Sequence, residues 1–505
     1  MFDDVLVAEP RGTFLFRWFS EPQPCLRSRW IFLRALGIIF FSAFYSLCFQ
    51  IHGLIGPEGI LPAVSYLTAV RNAAGSKAYW YIPSLLWFGA SDRALSILVW
   101  TGIAASLAII FNVWPRIAIA VAGICFLSFV SAAQDFSSYQ SDGMLLEAAF
   151  LSVFFAPRGL RPRLGVRYPP MRGALFLLQW EWFRIYFESG VVKILSGEKQ
   201  WRDFTAMDKY YENGPLPTWL GWYVQHWPHS YHAFTAALTL TVELLVVWLL
   251  FFPKRSRVIC FLITTPLQIG IILTANYAFL NYLVLFLGIL LLDDRDLKRR
   301  ADSQSAPAPP QADSRVGPTS STVVVVLMIF FITSIVMFFA PGVPVLNTPA
   351  VLLSPFRIVN NYGLFAVMTR ARYEIEFQGS NDFVHWTPYP FRYKPQEVRE
   401  RPGIYAPYQP RFDWNLWFAS LGTIEENQWI MNTEVRLLDN SPAVLELFRT
   451  NPFPKAPAAI RVVLWQYWFS SREEKQRTGA WWNRKFLGQY APTAMRREDG
   501  SVGFQ

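Results

Sequence analysis

Residues 174–195, ALFLLQWEWFRIYFESGVVKIL, restrict the fold of this chain more than any other stretch. The segment is apolar and aromatic and has the roughly 20 residues that a helix needs to cross a bilayer. Yet it carries Glu181, Arg184, Glu188 and Lys193. Charges at that depth face protein or trapped water, not lipid. Glu181, Arg184 and Glu188 are three and four residues apart, so on a helix they share one face, where the arginine can pair with the carboxylate above or below it. Lys193, five positions past Glu188, lies roughly 140° off that stripe on an ideal helix. It joins the stripe only if the chain bends at Ser189-Gly190. Such a helix must be wrapped in others, which makes the expected fold a membrane all-α multi-helix bundle.

The rest of the chain supplies the wrapping. Apolar runs at 30–51, 94–111, 116–133, 143–156, 174–195, 233–252, 258–275, 277–292 and 322–339 predict about nine transmembrane helices. Residues 1–29 hold Arg11, Arg17, Arg27 and Arg29, and the run that follows is too long for a signal-peptide core, so it reads as the first span. Residues 54–92 are aromatic and broken by Pro57, Pro62 and Pro83, the pattern of short interfacial helices. With the basic amino terminus inside, alternate loops receive Arg116, then Arg158 to Arg172, then Lys254 to Arg257, then Arg295 to Arg300, whereas loop 134–141 has no Lys or Arg. That is the positive-inside bias. An odd number of crossings then puts the carboxy-terminal part on the exoplasmic side.

The expected organisation is a bundle over 1–292, an inner-face Pro/Ala/Ser linker over 293–321, a last span over 322–340, and an exoplasmic soluble domain over 341–505. That domain reads as α+β with room for a β-sandwich core. Residues 373–377 alternate as a strand, Gly379-Ser-Asn-Asp turns, and 385–391 supply a partner strand despite two prolines. Asp413 can cap a helix bearing Trp414, Trp417, Phe418 and Leu421; 429–438 and 442–448 look helical, and 460–469 is a buried strand.

The 46 Lys and Arg against 36 Asp and Glu sit between apolar runs rather than in patches with a groove-reading or stacking motif, which excludes nucleic acid as a partner. Cys25, Cys48, Cys125 and Cys260 form no exported disulfide framework on this topology, and no N-x-S/T sequon occurs. Both features suit a bacterial inner membrane, with the domain in the periplasm, better than an endoplasmic reticulum. Nucleotide-binding loops, G-x-S-x-G, H-E-x-x-H and C-x-x-C are absent from the sequence, and no cofactor or metal is expected.

Three constellations could carry function. The intramembrane polar network comprises Asp142, Glu147, Glu181, Arg184, Glu188 and Glu243, with Lys193 as the one candidate catalytic residue. A desolvated lysine beside carboxylates can act as a base, and equally such a network can serve only to neutralise charge and fix helix register. The second is His226, His229 and His232, whose spacing suits a metal but which no cysteine or nearby carboxylate completes; interfacial anchoring is the plainer reading. The third is the tryptophan-rich domain, where Trp414, Trp417, Trp465 and Trp468 could build a partner-binding face or simply pack a core. Transport through the seam is disfavoured, because no inverted repeat or broken helix pair is visible.

Residues 354–382, SPFRIVNNYGLFAVMTRARYEIEFQGSND, and 407–422, PYQPRFDWNLWFASLG, resemble the outer domain of the lipase maturation factor family, and FRIYFESGVVKI, WRDFTAMDKYYENGPLP and SYQSDGMLLEAAFL are similar to its membrane part. The resemblance implies a multi-pass membrane protein that assists an exported client, by family a lipase, to reach its active form. Its eukaryotic relatives sit in the endoplasmic reticulum. A shorter stretch, YFESGVVKI followed by Trp201, resembles the membrane domain of vitamin K-dependent γ-glutamyl carboxylases, which implies a catalytic role for Lys193 on a quinone or an exported polypeptide.

Overall fold

The computed structural model describes residues 14–137, 139–297, 318–340, 343–497 and 499–505. Most of the expected linker, 298–317, lies outside the described residues. The main helices are α1 (Leu26–Cys48), α2 (Asp92–Ile110), α3 (Pro115–Ala132), α4 (Gln140–Phe155) and α5 (Arg172–Leu195). They are followed by α6 (His229–Leu244), continued by a 3-10 segment Val246–Phe251, then α7 (Lys254–Thr274), α8 (Leu280–Gly288) and α9 (Pro318–Phe339). Shorter helices such as Ala63–Ala74 fill the proline-broken region after α1, as its sequence suggests.

Among the described residues six helices are long and apolar enough to cross a membrane: α1, α2, α3, α6 with its continuation, α7 and α9. The count of nine is not reached, for identifiable reasons. Helix α4 has 16 residues, α8 is shorter still, and α5 spans 24 residues but is heavily charged. These three are nonetheless the centre of the bundle: α5 is in contact with α4, α6, α8 and α9. Glycines set some of the closest approaches. A Cβ at Gly102 would stand 2.3 Å from the Phe44 ring, so α1 and α2 meet only because none is there.

The carboxy-terminal part is built on one five-stranded antiparallel sheet in the order β2-β1-β3-β4-β5. Its strands are β1 (Arg372–Ser380), β2 (Thr387–Pro388), β3 (Ala459–Phe469), β4 (Trp482–Arg496) and β5 (Val502–Phe504). Helices α10 (Arg411–Ala419) and α11 (Trp429–Leu438) pack on it; α12 (Pro442–Leu445) packs on α11 and on the short bundle helix Ile51–Ile55, and α13 (Arg472–Thr478) lies in the connection from β3 to β4. The architecture is thus α+β with a single sheet backed by helices, where two facing sheets were one expectation. Proline confines β2 to two residues, paired as Gln378↔Pro388 and Gly379↔Thr387.

Asp413 does not cap α10. It lies in the first turn, where its carboxylate accepts the backbone N–H groups of Tyr393 (3.2 Å) and Lys394 (3.0 Å) and ties down the loop after β2. The charged residues of β1 are buried along with its apolar ones. Glu374 pairs with Arg372 and with Lys394 (2.8 Å), while Arg372 donates to the carbonyls of Glu212, Gly214 and Pro215 from the membrane-bundle half of the chain. One continuous apolar cluster runs from Phe32 in α1 through Phe126 and Tyr139 to Trp414, Leu437 and Ile460. The expected soluble domain is therefore fused to the bundle, not tethered beside it.

Candidate functional site

Helix α5 presents its charges to two different surroundings. On one side Arg184 meets α4 and a strap formed by residues 357–364. Glu147 of α4 takes four donors: Arg184 Nη2, the backbone N–H of Asn360 (3.1 Å), Asn360 Nδ2 (3.1 Å) and the Tyr362 hydroxyl (2.8 Å). Arg184 Nη1 donates to the Asn360 carbonyl (3.1 Å), and its Nε lies 4.0 Å from Glu188 Oε1, while Glu188 Oε2 accepts the Tyr362 N–H at 2.7 Å. The guanidinium lies 5.2 Å from the centroid of the Tyr362 ring, and Ser189 Oγ accepts the Leu364 N–H at 3.2 Å. Gly143 on α4 makes room, since a Cβ there would stand 2.7 Å from Asn360 Oδ1. Arg184 thus finds the carboxylate one turn along, as its spacing suggests, but its closer partner is on another helix. Glu181, on the same stripe, is fully buried and has no hydrogen-bond partner for either oxygen.

A second junction lies more than a turn nearer the start of α4, in its first turn. Asp142 accepts two 2.8 Å bonds from the Arg411 guanidinium at the start of α10, and Arg411 Nη1 also donates to the Phe136 carbonyl at 2.8 Å. The Tyr139 hydroxyl donates to Asn415 Oδ1 at 2.8 Å beside it. Asn276, in the tight turn between α7 and α8, accepts the N–H groups of Tyr405 (2.7 Å) and Ala406 (3.0 Å) and donates to the Gly403 carbonyl (3.0 Å). Such partners offset the cost of burying an ionised carboxylate. What reads in sequence as an intramembrane seam is, for Asp142, Glu147, Arg184 and Glu188, a socket that receives the carboxy-terminal part.

Lys193 is elsewhere. Helix α5 runs unbroken past Ser189-Gly190, so the bend that would bring Lys193 onto the stripe does not occur. Its ammonium instead donates to both oxygens of Glu243 on α6, at 2.8 Å each, and stands 5.1 Å from the centroid of Trp201. Gly190 permits the approach, because a Cβ there would lie 2.9 Å from Glu243 Cβ. The pair borders a cavity of about 360 Å³ between α5, α6, α7 and α8, within the roughly 300–1,000 Å³ of small-molecule sites. A chain of neutral groups lines another wall: Asn281 Nδ2 donates to Gln268 Oε1 (2.8 Å), and Gln268 Nε2 donates to the Tyr186 hydroxyl (2.7 Å). The expected single network is thus three separate ion-pair sites among the described residues, of which the Lys193–Glu243 pair borders this cavity.

The histidines do not converge. His226 bonds the carbonyls of Trp222 (2.7 Å) and Ser470 (2.9 Å), His229 bonds Asp208 (2.9 Å), and both ring nitrogens of buried His232 lack partners. Among the described residues no group of three His, Cys, Asp or Glu could hold a metal ion. Of the candidate tryptophans, Trp414 and Trp417 are buried, Trp414 against Tyr139 with its ring centroid 5.3 Å away, so neither offers a face to a partner. Trp465 lies under Arg484 and against Phe486, and Trp468 is exposed. Beyond the membrane-spanning helices, burial pushes the Glu434 carboxyl up to about 9, with no hydrogen-bond partner to oppose it. Burial likewise raises Asp413 to about 6, against the pull of the Lys394 and Tyr393 N–H groups.

Sequence reasoning missed Arg411, Asn360, Tyr362, Tyr186 and Gln268. Each makes a site contact with a partner at least 82 residues away, and no local spacing marks it. A lone arginine ahead of an aromatic helix was the one available signal for Arg411.

Comparison with known proteins gives a consistent result. A family model described as the lipase maturation factor transmembrane domain matches residues 27–299, and one described as the lipase maturation factor C-terminal domain matches residues 358–492. The chain is similar to lipase maturation factor 1 of Mus musculus, 30% identical over 94% of this chain and 88% of that protein. It is similar also to lipase maturation factor 1 of Bos taurus, at 29% over 93% and 89%. To lipase maturation factor 2 of Gallus gallus it is 29% identical over 93% and 82%. No solved structure matches.

Proposed function

The chain belongs to the lipase maturation factor family, and from that premise we propose that it is an integral membrane maturation factor assisting the folding or assembly of exported proteins, a lipase foremost. The observation that carries the reading is the fused architecture: three buried polar junctions lock the carboxy-terminal part onto the bundle, so a client held by that part is held at the bilayer surface. On this reading the organisation is a bundle over 1–292, a linker over 293–321, a last span over 322–340 and a client-facing part over 341–505. With α4, α5 and α8 counted as crossings beside the six longer helices the number is odd, which puts that part on the exoplasmic side and in a periplasm. The Lys and Arg bias of the loops supports that side. Trp468, Phe486 and Leu487, exposed at 37%, 51% and 43%, are the client contacts on this reading: Phe486 shares one face of the sheet with its cross-strand neighbour Trp465, and Trp468, three residues from Trp465, lies on the other.

The test is lipase activity per unit of secreted lipase antigen in a host lacking this protein, complemented with the full chain or with Trp468, Phe486 and Leu487 all changed to Ser. Complementation by the full chain and not by the triple variant is expected. Equal activity without the protein sinks the reading. Labelling of Lys485→Cys by a membrane-impermeant maleimide from the exoplasmic side, and not from the cytoplasm, tests the orientation.

A second reading is favoured by one observation, that Lys193 borders the cavity. It is a carboxylase-like membrane enzyme acting on a quinone or exported polypeptide. Lys193→Arg keeps the charge and the pairing with Glu243, so on this reading it leaves a folded protein without activity, whereas the maturation reading has it tolerated.

A further inference from the structure

The cavity beside Lys193 is shaped for a ligand that arrives sideways. Its outer wall is α7, where Ile263, Pro266 and Gly270 line the cavity and are also exposed on the surface of the bundle. The neighbouring α7 side chains Leu262, Ile269 and Leu273 are 61%, 43% and 47% exposed, the face that meets lipid when this helix spans a bilayer. Two features thin the wall. Pro266 lacks the N–H that would bond the Leu262 carbonyl, which weakens the helix where it borders the cavity. One turn on, a Cβ added at Gly270 would meet nothing within 4 Å.

The inner end is polar and electrically balanced. Lys193 and Glu243 cancel, and Lys193 donates two hydrogen bonds to that one carboxylate, leaving an ammonium N–H for a further acceptor. The remaining polar groups there, including Tyr186 and Gln268, are neutral. A charged headgroup would bring an uncompensated charge into a desolvated site, which is costly; an uncharged carbonyl or hydroxyl would not. We propose that this cavity binds an uncharged amphiphile drawn from the bilayer, its apolar tail passing the gap at Gly270 and its carbonyl or hydroxyl oxygen accepting from Lys193. The shared chemistry admits two sources, acylglycerols and isoprenoid quinones. The inference concerns binding alone and stands apart from both the client role and any catalysis.

The test uses the full-length protein in nanodiscs with a diazirine-bearing monoacylglycerol, the cross-linked peptides being mapped by mass spectrometry. Labelling concentrated on cavity-lining positions of α6 and α7, and displaced by unlabelled monoacylglycerol or by an isoprenoid quinone but not by oleate or phosphatidylglycerol, supports the proposal; which of the two uncharged competitors is stronger identifies the source. Gly270→Trp, which grows into open space, is expected to cut labelling at least tenfold. Lys193→Met with Glu243→Leu, which keeps the site neutral, is expected to cut it several-fold and serves as the second variant if Gly270→Trp does not fold. Labelling spread evenly over Leu262, Ile269 and Leu273 and indifferent to both variants overturns the proposal, as does stronger displacement by the charged lipids.

Discussion

Arg184 and Lys193 stand nine residues apart on the same helix, each buried and each paired with a glutamate, yet they occupy opposite kinds of place. Around Arg184 the space is filled: Glu147 has four donors, Glu188 two contacts, and a strap of backbone N–H groups closes the site. Around Lys193 one carboxylate answers one ammonium and a cavity of about 360 Å³ begins. The difference teaches that charge within a bundle is not one signal. Where the charges are shared with a strap from the other part of the chain they join parts of the fold, even though Arg184 Nε, Glu188 Oε1 and both Glu181 oxygens lack a hydrogen-bond partner there; where a cavity adjoins the pair, the charges mark a place for something else.

The largest effect should come from breaking the closed site. Arg184→Met leaves Glu147 and Glu188 without their cation and is expected to cost about 3–5 kcal/mol, enough to prevent recovery of folded protein in detergent. Thermal unfolding followed by tryptophan fluorescence measures it. Arg411→Met, which strands Asp142, should behave alike. If Arg184→Met melts with the unaltered protein, the socket does not hold the two parts together and the comparison collapses.

A buried carboxylate with no cation at all sharpens the contrast. Glu434 has a folded-state value of about 9 against an ordinary 4.5, so the folded protein binds more protons than the unfolded chain between those limits. Stability is therefore highest below about pH 4.5 with respect to this group and falls as pH rises toward 9, by about 3 kcal/mol at pH 7. Asp413, raised to about 6, adds a loss of the same sign between its ordinary 3.8 and that value. Glu434→Gln should flatten the pH dependence of the melting temperature above pH 6 and raise the melting temperature at pH 8. An unchanged slope means that Glu434 finds a partner or water on ionising.

The sequence is informative about this comparison up to a definite point. The seam residues are visible because charge in an apolar 22-residue stretch is expensive wherever it occurs, and β1, β3 and α11 follow from short-range alternation and helical spacing. Partner identity is not visible. Glu147 to Arg184 spans 37 residues, Lys193 to Glu243 spans 50, and Asp142 to Arg411 spans 269, distances over which no periodicity operates. Strand β4 escapes notice because Arg484-Lys485 and Phe486-Leu487 come as adjacent pairs and Gly488 and Pro492 interrupt it, so the period of two is lost. The tryptophans read differently for the converse reason: Trp414 and Trp417 have the composition of a binding face, yet both are buried, and Trp414 packs on Tyr139 and Tyr277 of the bundle of its own chain.

The smallest effects belong to the open site, and they discriminate best. Lys193→Met alone leaves Glu243 unpaired, but the adjoining cavity lets water or a proton reach the carboxylate, so the expected cost is about 1–3 kcal/mol, below that of Arg184→Met. Changing both partners, Lys193→Met with Glu243→Leu, removes the charges together and should return stability to within about 1 kcal/mol of the unaltered protein, since a buried ion pair contributes little net stability beyond what apolar side chains of similar size supply. The equivalent double change at the closed site, Arg184→Met with Glu147→Leu, cannot recover in the same way, because the Asn360 and Tyr362 donors would lose their acceptor. A double-mutant cycle at each site, read from unfolding in mixed micelles, compares the two directly. Recovery at Lys193 and none at Arg184 is the expected pattern; equal recovery at both would mean that the strap places no demand on Glu147 and that the two ion pairs are, energetically, the same kind of object.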